Sequence, residues 1–414
     1  MTGTRQTEVG PWPVAVAGMA SLAAAMGIGR FAFTPLLPMM LADGVIDLSA
    51  ASWLASSNYL GYLLGALLCT FQPWLWRRLP ALPPVHATAM IRAGLVATAL
   101  LTLGMCIQIP AAWPALRFGA GVASALVFVF TSGWCLAQLA RLDLPAMGAL
   151  IYVGPGAGIL LSGLAASLMV AWHGSATLGW LLFGVLAALL TAAVWPIFSR
   201  PEQAHAAAPA ASAAFTGHHN GTHGAFEVAL FAVAYSLAGF GYIITATFLP
   251  VIARQSLPGS AWLDMFWPIL GVGVILGALI AARVHAPADL RLRLVVCYLI
   301  QASGIAAGVW SPTLAGFAIG SLLLGLPLTA ITFLAIQEVR RLRPVSPTSL
   351  MGLVTAMYGL GQIVGPPLAA QLLARGRNPA EGFTLSLEIA AGALVLGAGI
   401  YGAMARLFPA VRAG

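Results

Sequence analysis

The chain has 414 residues, of which 60% are hydrophobic and only 7% are charged; a soluble domain carries roughly 25% charged residues, so a water-soluble enzyme is excluded. All nineteen basic residues are arginine, and the formal net charge is +8. Without lysine there is neither a lysine-bearing phosphate loop nor a Schiff base, and no connection is long enough for a nucleotide-binding domain, which excludes a single-chain ATP-driven pump.

Apolar runs of about 20 residues, the length that crosses a ~30 Å hydrocarbon core, recur along the whole sequence. They predict helices over 13–41, 50–71, 86–108, 112–139, 146–172 and 177–199, then 227–253, 262–282, 292–310, 313–337, 347–373 and 382–405. The expectation is an all-α integral membrane protein with twelve transmembrane helices in two sets of six. The first segment is too long for a cleaved leader, so it should remain in the mature protein.

The first segment contains Gly27-Ile-Gly-Arg-Phe-Ala-Phe-Thr-Pro-Leu-Leu-Pro38. An arginine at that depth costs ~2.5–3.5 kcal/mol on insertion scales, so Arg30 reads as functional. At α-helical spacing Ala23, Gly27, Arg30 and Thr34 form one small or polar stripe. The second segment holds Asn58 and Tyr59 ahead of Gly61 and Gly65, and the third holds Arg92, read as an anchor reaching for headgroups. The fourth aligns Arg117, Gly121, Ser124 and Phe128. Arg117 lies near the predicted end of its helix, so it reads either as a gating or coupling group or as a snorkelling side chain. Tyr152 lies early in the fifth segment, just ahead of Gly154-Pro-Gly-Ala-Gly158.

Between the sixth and seventh segments, residues 201–225 are rich in Ala, Pro and Gly and read as a flexible linker. His205, His218, His219 and His223 fall there, but Gly221 and Gly224 oppose any rigid ligand geometry and no metal site is expected. The expected organisation is therefore a six-helix bundle over 1–200, the linker, and a second bundle over 226–414.

The seventh segment contains Gly239-Phe-Gly-Tyr-Ile-Ile-Thr-Ala-Thr-Phe-Leu-Pro250, a variant of the first-segment string 212 positions on. The same offset pairs Gly61 with Gly273, Leu64 with Leu276, and Gly65-Ala-Leu67 with Gly277-Ala-Leu279. One gapless register over two successive helices indicates two copies of one unit in parallel topology, with Arg30 opposite Tyr242. Tyr235, Gly239, Tyr242 and Ala246 form the matching stripe, and the eleventh segment adds Thr355, Tyr358, Gln362 and Pro366. Acids are scarce: Asp264 starts the eighth segment, Glu338 ends the tenth as a solvated or ion-paired terminus, and Glu388 lies in the twelfth. Arg30 then has two possible sources of counter-charge: an acid of the second half, Asp264 or Glu388, in one transport state, or the substrate itself. Cys69, Cys106, Cys135 and Cys297 fall singly in four helices and read as buried small hydrophobes.

Arginine also sets orientation. With both ends inside, thirteen arginines lie on the cytoplasmic side and three outside, which satisfies the positive-inside rule. The positive charge is a topology signal and no nucleic-acid partner is expected.

These strings resemble the major facilitator superfamily over nearly the whole chain. Leu116-Arg-Phe-Gly-Ala-Gly-Val-Ala-Ser-Ala125 is similar to the family's fourth-helix motif, and Gly154-Pro-Gly-Ala-Gly158 to the core of a motif frequent in antiporters. The loop after the second helix departs from the family, with Phe71-Gln-Pro-Trp-Leu-Trp-Arg-Arg78 in place of a glycine-aspartate-basic cluster. Gly-Ile-Gly-Arg-Phe-Ala in the first segment, Asn58-Tyr-Leu-Gly-Tyr-Leu-Leu-Gly65 and Tyr358-Gly-Leu-Gly-Gln-Ile-Val-Gly-Pro-Pro367 resemble the bacterial YbfB/YjiJ-type subfamily. The resemblance implies two pseudo-symmetric bundles around a cavity lined by helices 1, 2, 4, 5, 7, 8, 10 and 11. It implies a monomeric multi-pass transporter of the bacterial inner membrane, with both termini cytoplasmic and no cofactor.

A small organic anion is the expected substrate, because guanidinium suits bidentate carboxylate or phosphate recognition. Its expected contacts are Arg30, Thr34, Asn58, Tyr59, Tyr152, Tyr242, Tyr358 and Gln362. Arg117, Asp264 and Glu388 are the coupling or gating candidates, with protons the expected coupling ion. Efflux of hydrophobic compounds is the alternative within transport, and a non-transporting sensor or structural protein the alternative outside it.

Overall fold

A backbone placed in hydrocarbon must satisfy its own N–H and C=O groups, so each apolar run has one outcome open to it, a helix. The computed structural model describes residues 10–78, 85–199, 224–257, 260, 262–283, 289–343, 347–376 and 378–409. Among these, twelve helices are long and apolar enough to cross a membrane: α1 (Pro11–Ala42), α2 (Leu48–Gln72), α3 (Ala87–Gly104), α4 (Pro110–Arg141), α5 (Met147–Ala171), α6 (Ala176–Phe198), α7 (Ala225–Ser256), α8 (Leu263–Ala281), α9 (Leu290–Trp310), α10 (Leu314–Leu342), α11 (Leu350–Arg375) and α12 (Ala380–Leu407). Successive spans run in opposite directions. The starts of α1 and α7 and the ends of α6 and α12 therefore lie on one side, called here the terminal face, and the other side is the distal face. The linker expected over 201–225 lies outside the described residues apart from Gly224, which caps α7, and Ala225, which begins it.

Two helices depart from the simple rods that periodicity predicts. In α10, Leu314–Gly325 and Leu328–Leu342 are separate helices, because Pro327 at the junction has no N–H to continue the ladder. In α1, α-helical Pro11–Leu22 and Phe33–Ala42 flank a π-helical segment, Ala23–Arg30. Polar caps hold the distal turns: Asp43 Oδ2 accepts from the Ala176 N–H at 2.8 Å, and Asn378 Oδ1 from the Glu381 N–H at 2.8 Å.

The packing repeats with a period of six helices. α1 packs on α5 as α7 packs on α11, α2 on α4 as α8 on α10, and α3 on α6 as α9 on α12. The 212-residue offset seen in the sequence is visible atom by atom. A Cβ on Gly61 would meet the Phe118 carbonyl of α4, and one on its mate Gly273 would meet the Leu322 carbonyl of α10. Both sites are backbone-to-backbone approaches that only glycine permits. Three further contacts join the first six helices to the last six: α2 with α11, α5 with α8, and α1 with α7. Residues 22–40 of α1 and 241–253 of α7 are buried without interruption, so these two helices form the molecular axis. Large apolar side chains such as Leu100, Leu168, Leu189 and Leu396 stay exposed on the rim, with Trp172, Trp262 and Trp310 exposed at the distal face, as a lipid-facing surface requires.

Candidate functional site

The site begins with the backbone of α1. In the π-helical segment the Phe31 N–H donates to the Met26 carbonyl, five residues back, at 3.2 Å. Widening the turn takes carbonyls out of the normal ladder, and α4 supplies donors for them. Arg117 Nη1 donates to Gly29 O at 3.2 Å and Nη2 to Arg30 O at 3.0 Å, while Ser124 Oγ donates to Ala25 O at 2.8 Å. The Asn58 amide on α2 in turn donates to Arg117 O at 2.9 Å. Arg117 is 2% exposed and its guanidinium lies beside Phe33 and Trp180. A side chain snorkelling to the headgroups, one of the two readings drawn from the sequence, is therefore corrected: Arg117 turns inward because the opened carbonyls of α1 are its acceptors.

The single stripe expected on α1 is also corrected, since π-helical turns do not keep α-helical spacing. Gly27 faces α5, where a Cβ would run into Gly158, and Gly29 faces Thr98 and Ser124. Of the four stripe residues, Arg30 and Thr34 bond to the other half of the molecule.

Arg30 is 3% exposed. Its Nη2 donates to Gln362 Oε1 on α11 at 2.7 Å, and Gln362 Nε2 donates to Tyr242 Oη on α7 at 2.5 Å. The amide has one orientation here, because guanidinium carries donors and no acceptor. The Arg30 Cζ lies 4.0 Å from the ring centroid of Tyr62 and 5.4 Å from those of Tyr59 and Phe31, a cation among aromatic faces. Thr34 Oγ1 donates to Ala246 O at 2.9 Å, and Tyr59 Oη and Thr247 Oγ1 are 2.9 Å apart. Tyr358 stacks between Tyr242 and Tyr235, with centroids 6.0 and 4.6 Å away, and Trp267 of α8 meets Phe31 edge-on.

Of the residues singled out in the sequence, Arg30, Thr34, Tyr59, Tyr242, Tyr358 and Gln362 thus come together. Asn58 is one step removed, on the backbone of Arg117. Tyr152 makes no bond to this group; its ring lies against Phe128. Tyr62, Thr247 and Trp267 were missed. Tyr62 had a signal, since it follows Asn58 by four residues and Tyr59 by three on one helical face, but Trp267 in an apolar run had none.

The acids lie elsewhere. Asp264 pairs with Arg254 near the distal face, and its carbonyl accepts from Ser167 Oγ of α5 at 3.2 Å. Glu388 is exposed on α12. Glu338 is fully buried in an ionic cluster at the terminal face that the sequence reading did not assemble. There Arg291 binds Asp289 Oδ2 at 2.7 Å and Glu227 Oε1 at 3.4 Å, while Arg341 binds Glu338 Oε1 at 2.6 Å and Glu227 Oε1 at 3.2 Å. Burial disfavours the charge on Asp289, but the Arg291 side chain and N–H outweigh it and hold that carboxyl below its ordinary range. Among the described residues, no carboxylate pairs with Arg30 or Arg117, and no group of His, Cys, Asp and Glu is arranged to hold a metal ion.

A polar core on a pseudo-twofold axis between two six-helix repeats is the architecture of a transporter. The family model described as the uncharacterised MFS-type transporter YbfB matches residues 22–402. The chain belongs to this family. Membership of the YbfB family makes it a multi-pass membrane protein that moves a small molecule by secondary transport, and not an enzyme. Two crystal structures of the nucleoside transporter NupG share the fold. An aspartate-to-alanine variant of NupG aligns with a TM-score of 0.70 at 15% identity, covering 94% of this chain and 99% of the other. A second NupG structure aligns with a TM-score of 0.66 at 14% identity, covering 95% and 98%. No curated protein matches the sequence.

Proposed function

We propose that this protein carries a small organic anion across the membrane by alternating access, with the anionic group on Arg30 and the apolar body against Tyr59, Tyr62, Tyr242 and Tyr358. The observation that carries the reading is charge balance. Two guanidiniums, 3% and 2% exposed, share the interior of the first six helices, and every acid in a described ion pair belongs to Arg254, Arg291 or Arg341. Arg117 is held by backbone carbonyls. Arg30 has a neutral amide as its partner and a buried Nε with none, so it retains donors for a carboxylate or phosphate.

In this reading the halves, 1–200 and 226–414, rock about α1 and α7. The terminal face, with the linker and both termini, is cytoplasmic, in a bacterial inner membrane, and the carrier works as a monomer. Movement is proton-linked through Asp264, whose pairing with Arg254 at the distal face alternates with protonation.

The test is a melting-temperature screen of purified protein against benzoate, succinate, inorganic phosphate and the neutral amide benzamide. A ligand at a hundredfold excess over its Kd adds ~2.7 kcal/mol to the folded state. At least one anion should raise the melting temperature, benzamide should not, and Arg30→Lys should lose the shift. Stabilisation by benzamide and neutral apolar drugs alone, unchanged in Arg30→Lys, overturns the anion reading in favour of hydrophobic efflux.

A further inference from the structure

The partner of Arg30 is a neutral group supplied by the opposite half of the chain. Gln362 Oε1 accepts a hydrogen bond from Arg30 Nη2 at 2.7 Å, in a space where Gln362 is 1% exposed. An ionised acceptor makes a hydrogen bond roughly twice as strong as a neutral one, so a carboxylate arriving at Arg30 displaces the amide. The amide also ties the two halves together, since Arg30 lies in the first and Gln362 in the second. Among the described residues, four bonds cross between the halves at this level: Arg30 to Gln362, Thr34 to the Ala246 carbonyl, Tyr59 to Thr247, and Ser56 to the Ile363 carbonyl at 3.0 Å.

We infer that Gln362 is a built-in counter-ligand for Arg30, and that it gives this carrier net transport instead of obligatory exchange. An obligatory exchanger must be unable to pass through its closed state unloaded. Here the amide oxygen takes the guanidinium once the anion leaves, Tyr242 receives the other end of the amide, and the unloaded protein closes and reorients. Gln362 is thus a positioning residue that decides whether a return step without cargo is open. The inference rests on the anion reading above, yet its test needs no cargo.

The test uses full-length protein in lipid nanodiscs, with the four native cysteines replaced. Spin labels are attached at Trp172→Cys and Trp262→Cys across the distal face, or at Leu144→Cys and Leu292→Cys across the terminal face; all four positions are exposed. In anion-free buffer the parent should populate short distances at both faces. Gln362→Ala should lower the doubly closed population about 10- to 100-fold, the factor set by one hydrogen bond to a charged group. Gln362→Glu, with its own carboxylate on Arg30, should close nearly all molecules and make them insensitive to added benzoate, succinate or phosphate. A parent that never shows both short distances, or equal populations in all three proteins, overturns the inference. If Gln362→Ala does not fold, the near-isosteric Gln362→Glu against the parent carries the comparison. Failure of the anion reading registers separately: none of the three anions shifts the parent's distances or melting temperature, while the variants still differ in anion-free buffer.

Discussion

Two arginines of one kind do opposite work because their acceptors differ. Arg30 meets a side chain of the other half and a ring of aromatics, whereas Arg117 meets two carbonyls of its own half. Substitution separates the roles. Arg30→Lys keeps the charge and loses the planar fork, so it should reach the membrane in normal amount, melt near the parent temperature and fail to transport. Arg117→Leu leaves the Gly29 and Arg30 carbonyls without donors, which costs about 3 kcal/mol, and should lower the melting temperature by several degrees with or without anion. Equal melting temperatures for Arg117→Leu and parent would remove the clamp from the account. At this scale the sequence was informative wherever a residue was out of place for lipid: Arg30, Arg117 and Gln362 all stand out in apolar helices. It was silent where the residue is ordinary for a membrane, as with Trp267, or where the partner is a backbone atom. The Arg30–Gln362 bond joins positions 332 apart, beyond the reach of any local pattern.

Among the elements, α1 defeats periodicity because its central turns are π-helical. The apolar length, the prolines near its end and the arginine were all legible, but the shift in helical phase at Ala23–Arg30 has no compositional mark and is fixed by the donors that α4 offers. The contact of Gly27 with Gly158 ties that segment to α5. Gly27→Leu should therefore push α1 off α5, destabilise the protein by ~1–3 kcal/mol or more, and lower transport even though Arg30 is untouched. A fully active Gly27→Leu would contradict the close approach. The junction of α5 with α8 carries the proton-coupling proposal. Asp264→Asn should abolish the response of uptake to an imposed pH gradient in proteoliposomes while counterflow exchange persists, and an unchanged response would remove Asp264 from coupling.

For the molecule as a whole, the number of spans and their pairing by a 212-residue offset were readable because each span must be apolar along its length and the close approach at Gly61 recurs at Gly273. The ionic cluster of Glu227, Asp289, Arg291, Glu338 and Arg341 was not, since its members begin or end three different helices and only folding gathers them. The proposed orientation has a direct check. In intact cells an impermeant maleimide should label Trp172→Cys at the distal face and leave Leu144→Cys at the terminal face unlabelled; the reverse pattern inverts the topology.

The bond from Thr34 to the Ala246 carbonyl joins two residues that are the same position in the two repeats. It runs one way, since alanine has no hydroxyl to return it, and the same inequality holds one turn earlier, where one copy has Arg30 and the other Tyr242. A homodimer of first halves on this axis would confine two like cations in one sealed space with no amide between them. A homodimer of second halves would put two tyrosines on the axis and no guanidinium there. The covalent joining of unlike copies is what places one guanidinium, that of Arg30, on the axis of a nearly symmetric protein.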